Sequence, residues 1–330
     1  MQTDKTKKIY STQLVIFTLT RTIINSGYRL VIPFLPVIAR GFDISLEAAA
    51  SAIALRSLVG IAGPLWGSIS DLHGRKKGML IGLAFFILGM LVVTLFPDFT
   101  PFVIAMLLVA LAKGIFDSAL LAYLGDNVAY AQRGRAFAIV EIGWSMSALI
   151  GIPIAGFLID RGDWRSHWPW FAAAGFLMIV IIYLTTPATK PSKTSQPDVK
   201  AIFSALSSNR IAVSALVFTL LICIGNQFIF VIFGAWLEDS FALNVIAIGG
   251  ATAVIGLAEL SGEGLVAAVT DKLGKKRAIL LGLGINTLTS LLLPWIGSTL
   301  TGGLLGLFLF YISFEFALVS ILPMVSEIMP

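Results

Sequence analysis

Apolar residues in this chain gather into long unbroken runs instead of alternating with polar ones. The runs lie near residues 11–38, 48–70, 79–96, 101–125, 136–159, 168–186, 212–237, 245–270, 278–297 and 303–326. Each is close to the roughly 20 residues that an α-helix needs to cross the hydrocarbon of a bilayer. The pattern predicts ten transmembrane helices and an all-α integral membrane protein. A closed β-barrel also satisfies every backbone polar group in lipid, but its strands alternate apolar and polar residues, which these runs do not. The first run is too long for a cleavable signal, carries Arg21 and Arg29, and ends without a small-residue cleavage site, so it is expected to be retained.

Composition agrees, since 57% hydrophobic and 12% charged residues cannot be arranged around a water-soluble core. The basic residues then orient the helices, because cytoplasmic loops carry the positive excess. Lys5, Lys7, Lys8, Arg75, Lys76, Lys77, Arg133, Arg135, Lys190, Lys193, Lys200, Arg210, Lys272, Lys275, Lys276 and Arg277 fall on one side, and Arg40, Arg161 and Arg165 on the other. The amino terminus is expected in the cytoplasm of a cell with a bacterial type of inner membrane. These cations flank membrane spans and form no aromatic-interleaved groove, so the net charge of +5 does not indicate nucleic-acid binding.

A repeat organises the chain. Asp71-Leu-His-Gly74-Arg75-Lys76-Lys77 recurs 200 positions later as Asp271-Lys-Leu-Gly274-Lys275-Lys276-Arg277, and Leu80 and Gly82 match Leu280 and Gly282 in register. Residues 187–201, polar and proline-rich, read as a cytoplasmic linker. The expected domains are thus 1–186, a six-helix half, and 202–330, a half with four helices. With an offset of 200, the second half would need to reach about residue 386 to mirror the first, and Asp126 at the end of span four aligns within one position of Glu327. The expectation is a chain lacking two helices of a twelve-helix protein.

Gly67-x-x-x-Asp71-x-x-Gly74-Arg75-Lys76, after the second span and echoed after the eighth, resembles the signature loop of the major facilitator superfamily. Leu72 replaces the usual basic residue of the first copy, and Ala267 the usual glycine of the second. The resemblance covers essentially the whole chain and implies two six-helix-type halves of a major facilitator fold, the second incomplete. It implies that spans one, four, seven and ten line a central cavity, and that Gly67, Asp71, Gly74, Arg75, Lys76, Asp126, Asp271, Gly274, Lys275 and Lys276 belong to a gate. In the family this aspartate latches one state through the eleventh helix. Physically, two rocking halves need contacts that form and break, and an aspartate at a helix end with glycines around it supplies them. The bland alternative is that the basic residues only anchor topology.

Ionisable groups inside spans are costly and mark a partner, an aqueous cavity or a proton path. Arg21, Arg29, Arg56, Lys113, Asp117, Glu141, Glu259, Glu263 and Glu315 are such groups. Depth at about 1.5 Å per residue lets Arg21, Asp117 and Glu141 meet, as structural pairs or as a protonation-sensitive switch. Glu259 and Glu263 share a helix face and either hold a proton or face polar groups of another segment. Glu315 follows Phe314 as Asp117 follows Phe116, a cavity acid or a packing partner. Asn226 and Gln227 orient a substrate or close an interhelical hydrogen bond. Phe228, Phe230, Phe233 and Trp236 read as lipid-facing or interfacial.

Gly151-Ile-Pro153-Ile-Ala-Gly156 loosely resembles the glycine and proline motif of the family's drug and proton antiporters, with Ile152 where a glycine normally stands and Ala110 where span four would carry arginine. Ordinary packing of a kinked helix explains Pro153 as well. Cys223 is alone, and His73 and His167 lie in loops on opposite sides, so no disulfide or shared metal is expected. No cofactor and no enzymatic activity are expected, for lack of a nucleotide loop or nucleophile elbow. A non-transporting sensor would need an appended soluble domain. The reading is a secondary active transporter, monomeric in the lipid bilayer, exporting a small-molecule substrate in exchange for protons. The alternative is an importer or facilitator of a polar nutrient, a sugar or an organic anion.

Overall fold

Continuous apolar sequence leaves the helix as the structure that pairs each backbone N–H within its own segment. In the computed structural model of the protein the described residues are 2–61, 66, 70–188 and 209–328, side chains excepted at 2–10, 61, 130, 131, 271 and 322–328. They form helices joined by short turns, with no strand among them. Two compact units emerge, Met1–Gln196 and Pro197–Pro330.

The first unit contains α1 (Gln2–Arg29), α2 (Leu35–Gly41), α3 (Leu46–Ile61), α4 (Arg75–Leu95), α5 (Phe99–Asn127), α6 (Tyr130–Met146), a π-helical turn (Ser147–Gly151), α7 (Ile152–Arg161) and α8 (His167–Thr185). The second contains α9 (Arg210–Phe241), α10 (Val245–Leu273), α11 (Lys275–Ile296) and α12 (Leu300–Ile328). Helices α9 and α10 start on side-chain caps: Asn209 Oδ1 accepts from the amides of Ile211 and Ala212, and Asn244 Oδ1 from that of Ala247.

Among the described residues eight helical segments are long and apolar enough to cross a membrane, and they coincide with the last eight of the ten expected spans. The first expected span differs for a physical reason. Helix α1 turns polar groups inward, burying Thr20, Arg21, Asn25, Ser26 and Arg29 while exposing Val15 and Leu19. Leu14, Phe17 and Ile24 are buried beside them, so the helix turns a mixed face inward. It also stops at Arg29, because Pro33 and Pro36 lack the N–H groups that would continue it. The chain turns through the buried residues Leu30, Val31, Ile32 and Phe34 before α2 begins. Helix α3 is described over 16 residues only.

Pro153 has a comparable local effect. It cannot donate to the carbonyl four residues earlier, and the helix widens into the π turn Ser147–Gly151 immediately before it. Large apolar side chains such as Ile211, Leu216, Leu220, Leu221 and Phe228 on α9 stand exposed, a surface suited to lipid. Phe230 and Phe233 correct the lipid-facing expectation. Both are buried, stacked at 6.1 Å between centroids, and Phe230 meets Tyr311 edge-on at 6.4 Å.

The duplication extends to backbone geometry and packing. Gly74 and Gly274 both take positive φ, 90° and 85°, at the break before α4 and α11. Gly82 lets α4 lie directly on the α5 backbone at Ala112 and Phe116, and Gly282 lets α11 lie on α12 at Ser313 and Ala317. The glycines repeat at 200, their partners at 201.

Gly82→Ala and Gly282→Ala are each expected to lower stability by about 1–3 kcal/mol through overpacking. A Cβ there would sit 2.9 Å from the Ala112 carbonyl oxygen and 3.0 Å from that of Ser313, backbone atoms that cannot turn aside. Gly284→Ala, with open space around it, should instead be neutral or stabilising by up to about 1 kcal/mol. Thermal melts followed by loss of monodisperse protein measure this; identical melting of the Gly282 and Gly284 variants would refute the close approach.

Candidate functional site

Helix α1 reaches α6 closely because Gly143 on α6 sits against Thr18, Arg21 and Thr22, and Gly151 sits against Ser26. That approach brings the polar face of α1 against α6 on one side and α5 on another. Arg21 Nε lies 3.1 Å from Asp117 Oδ1, and its Nη1 lies 2.8 Å from Glu141 Oε1 and donates to the Val140 carbonyl at 3.2 Å. Lys113, one turn before Asp117, places Nζ 2.6 Å from Asp117 Oδ2 and 2.7 Å from Asn25 Oδ1. Asp117 thus answers two cations, and the three residues placed at a common depth by sequence do meet. The Lys113–Asp117 pair is an i, i+4 contact visible in the spacing.

Arg29 and Arg56 are held differently. Arg29 Nη1 donates to the Trp144 carbonyl at 3.1 Å and lies 3.4 Å from Ser147 Oγ, with its guanidinium carbon 4.2 Å from the Trp144 ring centroid. The Trp144 carbonyl also accepts from Ser147 Oγ at 2.6 Å, beside the π turn. Arg56, on α3, donates through Nη1 to the Tyr28 carbonyl in the last turn of α1 and stacks 3.8 Å from the Tyr28 ring centroid. Lys113 Nζ is 5.9 Å from that ring and 5.2 Å from the Trp144 ring. Asn25, Tyr28, Trp144 and Ser147 belong to the site although their residue types carry no signal in isolation. Only their spacing from Arg21 and Glu141 along α1 and α6 points to them.

At the repeated loop, Arg75 bridges two carboxylates. It pairs with Asp71 one turn back, lies 3.0 Å from Asp126 Oδ2 through Nε, and reaches Ser70 Oγ at 3.0 Å. Lys76 Nζ donates to the Tyr183 carbonyl at 2.7 Å, tying α4 to the end of α8. Gly67, the side chains of Asp271 and Glu327, and the linker from residue 189 onward lie outside the described residues. Lys275 and Lys276 open α11 after Gly274.

In the second unit Glu259 and Glu315 are buried, and Glu263 is half-buried one turn from Glu259. Glu315 packs its Cβ against Gly262 of α10. The packing register equates Ala112 and Phe116 with Ser313 and Ala317, so the counterpart of Asp117 is Leu318 and Glu315 falls on Gly114. The likeness between Phe116-Asp117 and Phe314-Glu315 is therefore a coincidence of sequence. Asn226 is half-buried with Oδ1 unpartnered, and Gln227 is exposed on α9.

The sequence profile of the Major Facilitator Superfamily matches residues 17–330. The chain belongs to the Major Facilitator Superfamily. Superfamily relatives include the uncharacterized MFS-type transporter YbcL of Bacillus subtilis, 25% identical over 95% of this chain and 78% of YbcL. The multidrug resistance protein MdtG of Proteus mirabilis is 25% identical over 79% of this chain and 68% of its own length. Among solved structures, a bacterial homolog of the human lysosomal transporter Spinster aligns with TM-score 0.75 at 15% identity, over 96% of this chain and 75% of that one. A D-xylose-proton symporter aligns with TM-score 0.73 at 16% identity, over 93% and 80%. The fold is that of Major Facilitator Superfamily transporters, multi-pass membrane proteins that carry small molecules.

Removing one partner of a buried ion pair costs about 3–5 kcal/mol, since it strands the other charge. Asp117→Asn, which strands Lys113 and leaves Arg21 with Glu141 alone, is expected to fall in that range, and Glu141→Gln far below it because the Glu141 side chain is 47% exposed. Adding Lys113→Met to Asp117→Asn should recover part of the loss. Melting temperatures of the three variants in one detergent check this; equal effects at Asp117 and Glu141 would overturn the assignment of Asp117 as the centre of the network.

Proposed function

We propose that the chain is a secondary active transporter that moves a small molecule by alternating access, driven by protons, with Asp117 as the coupling group. The observation that carries this reading is the Asp117 carboxylate, its side chain 18% exposed, held by both Arg21 and Lys113. Protonating Asp117 would free Lys113 and leave Arg21 to Glu141 alone, a large local change in a region of low dielectric. Arg75, clamped between Asp71 and Asp126, fits the role of a reversible latch on the cytoplasmic side, with Gly274, Lys275 and Lys276 as its repeat. In this reading α1 and α3 complete ten membrane crossings, residues 1–186 and 202–330 form the two halves around a cytoplasmic linker, and the protein acts as a monomer in the cell membrane with its amino terminus inside.

Export in exchange for protons is one direction, and the name of the multidrug relative supports it. Uptake of an organic anion together with protons is the second, favoured by the excess of cations around Asp117. An anionic solute and an ionised Asp117 compete for the same cations, so protonation and anion binding assist each other and travel together. Glu259, Glu263 and Glu315 are further proton-site candidates, and Asn226 and Gln227 candidates for substrate contact.

Membrane vesicles carrying the full chain and an imposed pH gradient, monitored with a pH-sensitive dye, test the reading against a panel of cationic, neutral and anionic solutes. At least one solute should dissipate the gradient, and Asp117→Asn should abolish the response at equal protein level. Transport indifferent to the gradient would sink the proposal, and the sign of the proton movement separates export from uptake.

A further inference from the structure

The spans of the first unit contain four basic residues, Arg21, Arg29, Arg56 and Lys113, against two acidic ones, Asp117 and Glu141. Arg21 draws on both carboxylates and Lys113 on one of them. Arg56 meets no carboxylate among the described residues, yet it is 2% exposed. What it does meet is the carboxyl end of α1, through the Tyr28 carbonyl, and the Tyr28 ring. A helix end supplies about half an elementary negative charge. That offsets part of one guanidinium and leaves the cluster positive.

Capping α1 therefore accounts for one face of Arg56 and not for the rest. Arg56 Nε is buried without a hydrogen-bond partner, and so is Asn25 Nδ2. The Asn25 amide is oriented without ambiguity, because its oxygen accepts from Lys113 Nζ at 2.7 Å. Both orphans are donors. Buried donors without acceptors are rare in native proteins, and each calls for an acceptor, the oxygen of a water or of a ligand. Lys113 links them, paired with Asn25 and sharing the Tyr28 ring with Arg56.

We propose that Arg56, Lys113 and Asn25, walled by the Tyr28 and Trp144 rings, bind the oxyanion group of a small organic anion, making the cargo of this transporter a carboxylate or phosphate attached to an apolar body. The guanidinium fork matches two oxygens of such a group, and Lys113 adds a point charge beside it. The two rings suit an aromatic or aliphatic body next to the charge. The word cargo rests on the transport reading above; the anion site does not.

The test is equilibrium binding to the purified full chain, by calorimetry and by the fluorescence of Trp144 against a Trp144→Phe control. Four probes of similar shape are used: benzoate, phenyl phosphate, benzamide and benzylammonium. Benzoate or phenyl phosphate should bind at least tenfold more tightly than benzamide, with benzylammonium weaker still, and the stronger of the two anions assigns carboxylate or phosphate. Arg56→Gln and Lys113→Gln should each weaken the anion at least tenfold. Arg56→Lys, which keeps the charge, should restore part of the affinity and guards against misfolding of the glutamine variant. Preference for benzamide or benzylammonium, no binding of either anion at millimolar concentration, or undiminished binding in a folded Arg56→Gln protein would each overturn the proposal. Anion binding without any proton-coupled transport would leave the site standing and remove the transport reading. Coupled transport of cations alone would do the reverse.

Discussion

Everything distinctive in the first unit follows from the cost of placing cations inside a lipid-facing bundle. An isolated ion in a low-dielectric interior is unfavourable by several kcal/mol even after relaxation, so each charge must be met by another charge, a dipole or a ring. The unit uses all three. Asp117 meets Arg21 and Lys113, helix-end carbonyls meet Arg29 and Arg56, and Tyr28 and Trp144 present π faces to the cations around them. Replacing that set with leucines would give a simpler helix bundle. Such a set fits a site that binds or moves charge.

The irregular helices are part of the same solution. A regular α-helix keeps its carbonyls engaged with its own N–H groups, leaving free acceptors only in its last turn. Ending α1 at Arg29 makes the Tyr28 carbonyl such an acceptor, in the middle of the bundle, and Arg56 takes it. At the π turn after α6 the Trp144 carbonyl accepts from the Ser147 amide and hydroxyl and from Arg29. Pro33, Pro36 and Pro153 thus act on the charge network through backbone chemistry.

Much of this was legible in sequence, and the boundary is physical. Long apolar runs reveal helices because lipid allows little else, and the Asp71 and Asp271 loops reveal duplication because a break in a helix needs a glycine at positive φ, found at Gly74 and Gly274. Arg21, Asp117 and Glu141 could be matched by depth, since rise per residue is fixed. Depth says nothing about rotation, so the roles of Asn25, Tyr28 and Trp144 stayed hidden. Local likeness misled where packing register decides: Glu315 looked like Asp117 but stands one turn away from its counterpart. Phe230 and Phe233 look lipid-facing by residue type alone, although Asn226, one and two turns earlier on the same helix face, marks that side as the inward one.

The two units treat the same fold differently, and this bears on how such a protein becomes specific. The glycine contacts of Gly82 and Gly282 hold corresponding helix pairs at the same separation, so the scaffold is shared. The chemistry is not. The first unit places basic residues on α1, α3 and α5, while the second places Glu259, Glu263 and Glu315 on α10 and α12, at positions unrelated by the repeat. A duplicated scaffold needs its backbone contacts conserved between copies to keep its geometry, but a site with one orientation for its ligand needs the copies to differ in charge. In this chain the glycines meet the first requirement, and the ionisable residues supply the difference in charge that the second demands.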